Sequence, residues 1–418
     1  MMSDPATAHL DLAAHLRPGD TVVWVQAGAE PLPLIETLLA QRHRVGGRFS
    51  VFLGIPSGSA PIRPDHADCI DFLGYCGTGA NRALVTAGGL DILPSHYSQF
   101  PDLLSHGPLR ADVLLLQVAP PDEQGRFSLG LAHEYLVPLL ETARSVIVEV
   151  NRQAPWTYGE RFPVEDDFDA VLHTDRLIPE LRQPVPGPVE RAIAQHVSGL
   201  VQDGATLQAG LGAIPEAILD HLADHRDLGV HSGAIGDAVA RLTARGAITN
   251  ARKSRDRGIT VTGLALGGRP VHALVHRNPA VQFRSTRYTH DAGVLADIAH
   301  FVALNSAVEV DLTGQVNAEQ AAGSYVGAVG GATDFLRGAA RSRGGLPIVA
   351  LPSMAGRHSR IVARLSGPVS TSRADAGLIV TEHGVADLRG LPLSQRIRRM
   401  IDIAAPGFRA TLEKEANT

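Results

Sequence analysis

The segment that most restricts the fold is GATLQAGLGAIPEAILDHLADHRDLGVHSG, residues 204–233. A short apolar run, Thr206–Ala209, feeds a turn containing Gly210 and Gly212. Pro215 stands where proline suits the first turn of a helix, and Ile214, Ala217, Ile218 and Leu222 recur at helical spacing. The plan is strand, glycine turn, helix, strand. Such a turn leaves backbone N–H groups open at a helix start, where a phosphate can bind. A second strand, Leu228–His231, then brings Ser232 and Gly233 to the same carboxyl edge of the sheet.

The same plan occurs earlier, in GDTVVWVQAGAEPLPLIETLLAQ from Gly19, with Pro31 and Pro215 in matching places 184 residues apart. A repeated strand–turn–helix plan predicts two α/β domains of similar architecture. The proline-rich stretch QPVPGPVE (183–190) reads as the linker, which divides the chain into 1–185 and 186–418. Asp112–Val118 and Ser145–Val150 are apolar enough to be strands covered on both faces, as in a parallel sheet. Ala299–Val310, Leu346–Leu351 and Ala376–Val380 continue the pattern, and Gly323–Ala340 reads as a glycine loop opening into a helix. The expected fold class is two related open α/β domains with mostly parallel sheets.

Composition removes several functions. A net charge of -5 gives no basic footprint for nucleic acid, and no apolar run approaches a membrane span, so a cytoplasmic protein is expected. Cys69 and Cys76 form no CxxC and have no nearby histidine cluster, and the 18 histidines form no ligand spacing, so no metal is expected. Lysine occurs only at Lys253 and Lys414, with no GK[ST] after a glycine loop, which excludes a Walker-type nucleotidase. A pyridoxal phosphate Schiff base would have to use Lys253, which lies in the polar run Arg252–Arg257 and reads as solvated. Nicotinamide binding is unsupported. Pro215 replaces the third glycine of the dinucleotide fingerprint, and no acid ends the next strand.

Several longer segments resemble the acetyl-CoA hydrolase/transferase family, whose members include 4-hydroxybutyrate and acetate CoA-transferases. They are Asp112–Gly130, Val146–Gly159, Leu207–Ile218, Asn305–Glu319, Val329–Ala339, His358–Val362 and Val380–Gly390, in the family's order. The resemblance implies two α/β domains of CoA-transferase (NagB/RpiA-like) type facing each other across a cleft, with CoA against the C-terminal one. It also implies a small carboxylate acceptor and a homo-oligomer such as a dimer. In the family a glutamate in a His-Thr-Glu segment attacks the acyl thioester. Here the segment reads His231-Ser232-Gly233, so Gly233 takes the place of that glutamate.

The candidate site follows from this reading. Gly210, Leu211, Gly212, Ala213 and Ile214 would contact phosphate or pantetheine through their backbone, against the alternative of plain turn chemistry. Gly327, Gly330 and Gly331 would form part of the CoA-binding wall, against a tight turn before the Asp334 helix. Gly327 stands where some family members carry an asparagine. Ser232 is a replacement nucleophile or a passive wall residue, and His231 is expected on the opposite strand face. Asn151, at a strand's carboxyl end, is a ligand contact or a turn former. Asp237, Glu309, Asp311 and Glu382 are acids that could activate water or serve as structural acceptors, with Asp237 read as a helix cap. Three reactions stay open: transfer or hydrolysis of a CoA thioester, decarboxylation or carbon–carbon chemistry on an acyl-CoA, and a non-catalytic CoA-binding subunit or sensor.

Overall fold

The structure, a computed structural model, describes residues 10–181 and 184–416. Two compact units make it up, Met1–Leu181 with Gly263–Arg287, and Arg182–Thr262 with Tyr288–Thr418. The linear division at 185/186 is therefore interrupted once, because Gly263–Arg287 belongs with the first unit. Within the expected linker, Gln183 lies outside the described residues, and Pro188 already opens a helix, Pro188–Ser198.

The first unit holds seven parallel strands: β1 (Thr21–Trp24), β2 (Phe49–Leu53), β3 (Ile70–Gly74), β4 (Leu90–Ile92), β5 (Val113–Val118), β6 (Ser145–Asn151) and β7 (Ala170–Thr174). Their order is β4-β3-β2-β1-β5-β6-β7. The chain runs outward on one side of β1 and then on the other, so the order reverses between β1 and β5. Every residue of β5 and β6 is buried, as their largely apolar runs require of strands covered on both faces. Helix α1 (Leu32–Gln41) follows β1 and buries Leu34, Ile35, Leu38 and Leu39.

In the second unit, β8 (Thr206–Ala209), β9 (Gly229–Ile235), β10 (Phe301–Ser306), β12 (Leu346–Ala350), β13 (Leu378–Thr381) and β14 (Gly384–Asp387) run in the order β14-β13-β12-β10-β8-β9. All pair in parallel except β13 with β14. Here the order reverses between β8 and β10. The expected strand Ala299–Val310 is two strands. It ends at Ser306, and β11 (Glu309–Asp311) belongs to a separate small sheet with Val316–Asn317 and Ile361–Val362. The core under β10 and β12 gathers Leu295, Phe301, Val310, Phe335, Leu336 and Val349.

Among the described residues, no helix is long and apolar enough to cross a membrane.

Candidate active site

Carboxyl ends of parallel strands at the point where strand order reverses are the usual ligand edge of open α/β sheets. The Gly210–Ile214 turn lies there. It leaves β8 at Ala209, and Gly210 N–H donates to Leu304 O of β10 at 2.8 Å. Gly212 has φ +117°, a conformation L side chains rarely adopt, and it caps helix α2 (Ala213–His221). The Glu216 amide, at 3.2 Å from Gly212 O, makes the first helical bond, so Ala213 and Ile214 hold the amides that a helix start leaves open. Gly210, Leu211, Glu216, Ala234 and Gly236 line a small cleft at this point. Leu211 is 43% exposed there, an apolar side chain available to a ligand.

Glu216 went unremarked in the sequence, where it looks like an ordinary residue of the helix's first turn. Burial raises its pKa, and Arg241, at 3.0 Å, opposes that shift. Arg241 also holds Asp220 at 2.8 Å, so it ties α2 to α3 (Asp237–Ala244). Asp237 is the first residue of α3, and the cap position falls on Gly236, which corrects the reading of Asp237 as the cap.

β9 runs longer than the apolar pattern suggested. Ser232 and Gly233 are strand residues, not residues beyond its end. Ser232 is buried, and its hydroxyl donates to Ala209 O at 3.3 Å, so it is committed to the neighbouring strand. His231 is fully buried, with Nε2 3.3 Å from Thr289 O, and burial lowers its pKa to about 3. The two side chains therefore make no nucleophile–base pair. A Cβ on Gly233 would lie 2.8 Å from Cε1 and 3.0 Å from Nε2 of His290. The space beside Gly233 holds the His290 imidazole.

His290 also reaches the second glycine loop. A Cβ on Gly331 would lie 2.6 Å from His290 Nε2, and the His290 ring packs on Phe335 with centroids 4.5 Å apart. Gly330 has φ +56°, and helix α4 (Ala332–Arg341) begins directly after Gly331. Gly327 serves packing, because a Cβ there would collide with Ala318 O.

The other proposed acids act as acceptors. Glu309 accepts from Ser366 N–H, Gly367 N–H and Asn317 Nδ2, and Asp311 from the Thr313 and Gln315 amides. Glu382 accepts from Ser353 N–H at 2.8 Å. Asn151 is fully buried at the end of β6. Its Nδ2 donates to Arg176 O, and its Oδ1 accepts from the Arg176 and Gln153 amides, a turn-forming role. Lys253 is buried rather than solvated. Its Nζ donates to Val230 O at 2.8 Å and Ile259 O at 2.6 Å.

Two carboxyl groups of the first unit were missed. Glu30, in the turn after β1, accepts from Ser57 N–H, and burial raises its pKa to about 7. Glu134 accepts from Gln26 Nε2 and Tyr97 OH, and burial raises it likewise to about 7. The signal for Glu30 was present, because it ends the turn that repeats the Gly210 plan. A donor set of His43, Asp68 and Cys69 also comes together, with a single histidine in it. Arg42 already occupies Asp68 at 2.8 Å.

Two open parallel-sheet units, each with a small-residue turn at its strand-order reversal, define an α/β protein of CoA-transferase type. The chain belongs to the acetyl-CoA hydrolase/transferase family: the family's N-terminal domain matches residues 7–186 and its C-terminal domain residues 267–416. A 4-hydroxybutyrate coenzyme A transferase of Clostridium kluyveri is 39% identical over 403 residues, covering 94% of this chain and 93% of that protein. RipA from Yersinia pestis superposes with TM-score 0.92 at 33% identity, over 97% of this chain and 95% of RipA. A 4-hydroxybutyrate CoA-transferase from Porphyromonas gingivalis gives TM-score 0.82 at 31% identity, over 99% and 96% of the two chains. The chain is an enzyme of this family, a CoA transferase or thioester hydrolase.

Proposed function

We propose that the second unit binds an acyl-CoA at the Gly210–Ile214 turn and the Gly330–Gly331 loop. The enzyme then transfers or hydrolyses its thioester without a carboxylate at position 233. The observation that carries this reading is the turn itself. A positive-φ glycine and an open helix start meet at the strand-order reversal, beside a cleft with an exposed Leu211. Backbone amides there suit a phosphate, and Leu211 suits the apolar part of a pantetheine arm. The acceptor would be a small carboxylate or water.

The test is turnover of an acyl-CoA panel with and without acetate or succinate, following free CoA thiol and product mass. The expected result is CoA release, or exchange of the acyl group onto the added carboxylate. Gly212→Val should weaken CoA binding at least ~10-fold, since a β-branched residue is poorly accommodated at φ +117° and the turn must change, with circular dichroism checking that the chain stays folded. Products that have lost carbon dioxide, or binding by calorimetry with every substrate returned unchanged, would overturn the reading. The first would favour carbon–carbon chemistry and the second a CoA-binding subunit.

A further inference from the structure

We infer that His290 fills the place of the side chain that Gly233 lacks. Gly233, Gly331 and His290 then form one steric unit, in which His290 decides whether a carboxylate at 233 can reach a thioester. The inference rests on the reading that an acyl-CoA binds beside this strand end.

Three contacts define the unit. The ring edge of His290 lies 2.8–3.0 Å from where a Cβ of Gly233 would stand and 2.6–2.9 Å from that of Gly331. Cβ contacts under 3.0 Å essentially never occur, so with the ring where it stands both positions must be glycine. Phe335 closes the far side, with its ring 3.4 Å from the first Cβ position and 3.3 Å from the second, and it is itself buried in the first turn of α4. Thr289 Oγ1 lies 2.8 Å from His290 Nδ1 and fixes the ring's other edge. Moving the imidazole out of this place gives up the Thr289 contact or its packing on Phe335. Burial lowers its pKa to about 3, so this wall of the site is uncharged at neutral pH, where a carboxylate would be charged.

Four full-length proteins test the unit: the parent, Gly233→Glu, His290→Ala and the double variant. Gly233→Glu alone should melt at least ~5 °C below the parent, and adding His290→Ala should recover most of that loss. Each protein is then treated with acetyl-CoA followed by borohydride, and the peptide spanning 233 is weighed. In the double variant the introduced carboxylate oxygen attacks the thioester carbonyl, the C–S bond breaks and the CoA thiolate leaves. That thiolate then attacks the side-chain carbonyl of the anhydride and expels acetate. The resulting enzyme–CoA thioester is reduced by borohydride to an alcohol, with loss of CoA. The expected result is this mass change in the double variant and none in Gly233→Glu.

Gly233→Ala, which adds one methyl group, is the milder probe and should likewise be rescued by His290→Ala. The inference is overturned if Gly233→Glu is as stable as the parent, if it labels with His290 in place, or if neither 233 variant is rescued. It is also overturned if the double variant binds acetyl-CoA without labelling. Rescue of stability with no acyl-CoA binding to any of the four, the parent included, would support the steric unit and sink the functional reading instead.

Discussion

Lys253 shows what a residue's neighbours in sequence conceal. It stands in a run of charged residues, Arg252–Arg257, yet it is 3% exposed. The reason is Gly229, where a Cβ would lie 2.5 Å from Lys253 Cγ, so the lysine stem crosses the glycine and delivers Nζ to the Val230 and Ile259 carbonyls. Burial lowers its pKa to about 8, so at pH 7 it donates as an ammonium. Lys253→Met keeps the stem and orphans both carbonyls, which should cost about 2 kcal/mol. A urea midpoint lowered by that amount, with Arg252→Met near the parent, is the expected outcome, and equal midpoints for both variants would refute it. Gly327 and Gly331 teach the same lesson. A sequence shows that glycine is present, but the atoms that demand it, Ala318 O and the His290 ring, come from segments distant in the chain or from its turns.

At the scale of elements, what was legible was local. The Thr206–Ala209 strand, the Gly212 turn and the helix beyond it follow from apolar spacing and from proline and glycine preferences, and the structure places them there. Glu216 and Glu30 escaped notice because their burial depends on packing across elements, which periodicity does not encode. The run Ala299–Val310 misled for a related reason. Apolarity continues through it, but pairing does not: Val308 N–H donates to Asn317 O, and Glu309 pairs in register with Asn317 in a different sheet. Glu309 holds that junction by accepting from two loop amides, the Ser366 hydroxyl and Asn317 Nδ2. Glu309→Ala strands these donors and should destabilise the second unit by about 3 kcal/mol. Glu309→Gln, which keeps an acceptor oxygen, should lose less than half as much. Chemical denaturation of the two variants checks this, and equal losses would count against it.

Across the whole molecule, the buried ionisable groups are unevenly shared between the two units. The first holds Glu30 and Glu134, both raised to about 7, against one histidine, His133, lowered to about 3. The second holds His231 and His290, both lowered to about 3. A carboxyl group with a raised folded pKa binds more protons folded than unfolded between about 4.5 and 7, so it adds stability as pH falls through that window. A histidine with a depressed folded pKa binds more protons unfolded between about 3 and 6.5, so its contribution is complete above 6.5 and is lost as pH falls. Each group changes stability by up to about 1.4 kcal/mol per pH unit inside its window. Between pH 6.5 and 5 the two glutamates outweigh His133 in the first unit, while both histidines of the second act against it. His66 and His276 in the first unit, and Glu216 in the second, shift in the tempering direction, by smaller amounts. Acid should therefore weaken the second unit first. Both tryptophans, Trp24 and Trp156, lie in the first unit, so their fluorescence reports it alone while far-ultraviolet circular dichroism reports both. At pH 5 the dichroism melt should begin below the fluorescence melt, and the gap should narrow at pH 7.5. Coincident melts at pH 5, or fluorescence changing first, would show that these buried groups do not set the order in which the units unfold.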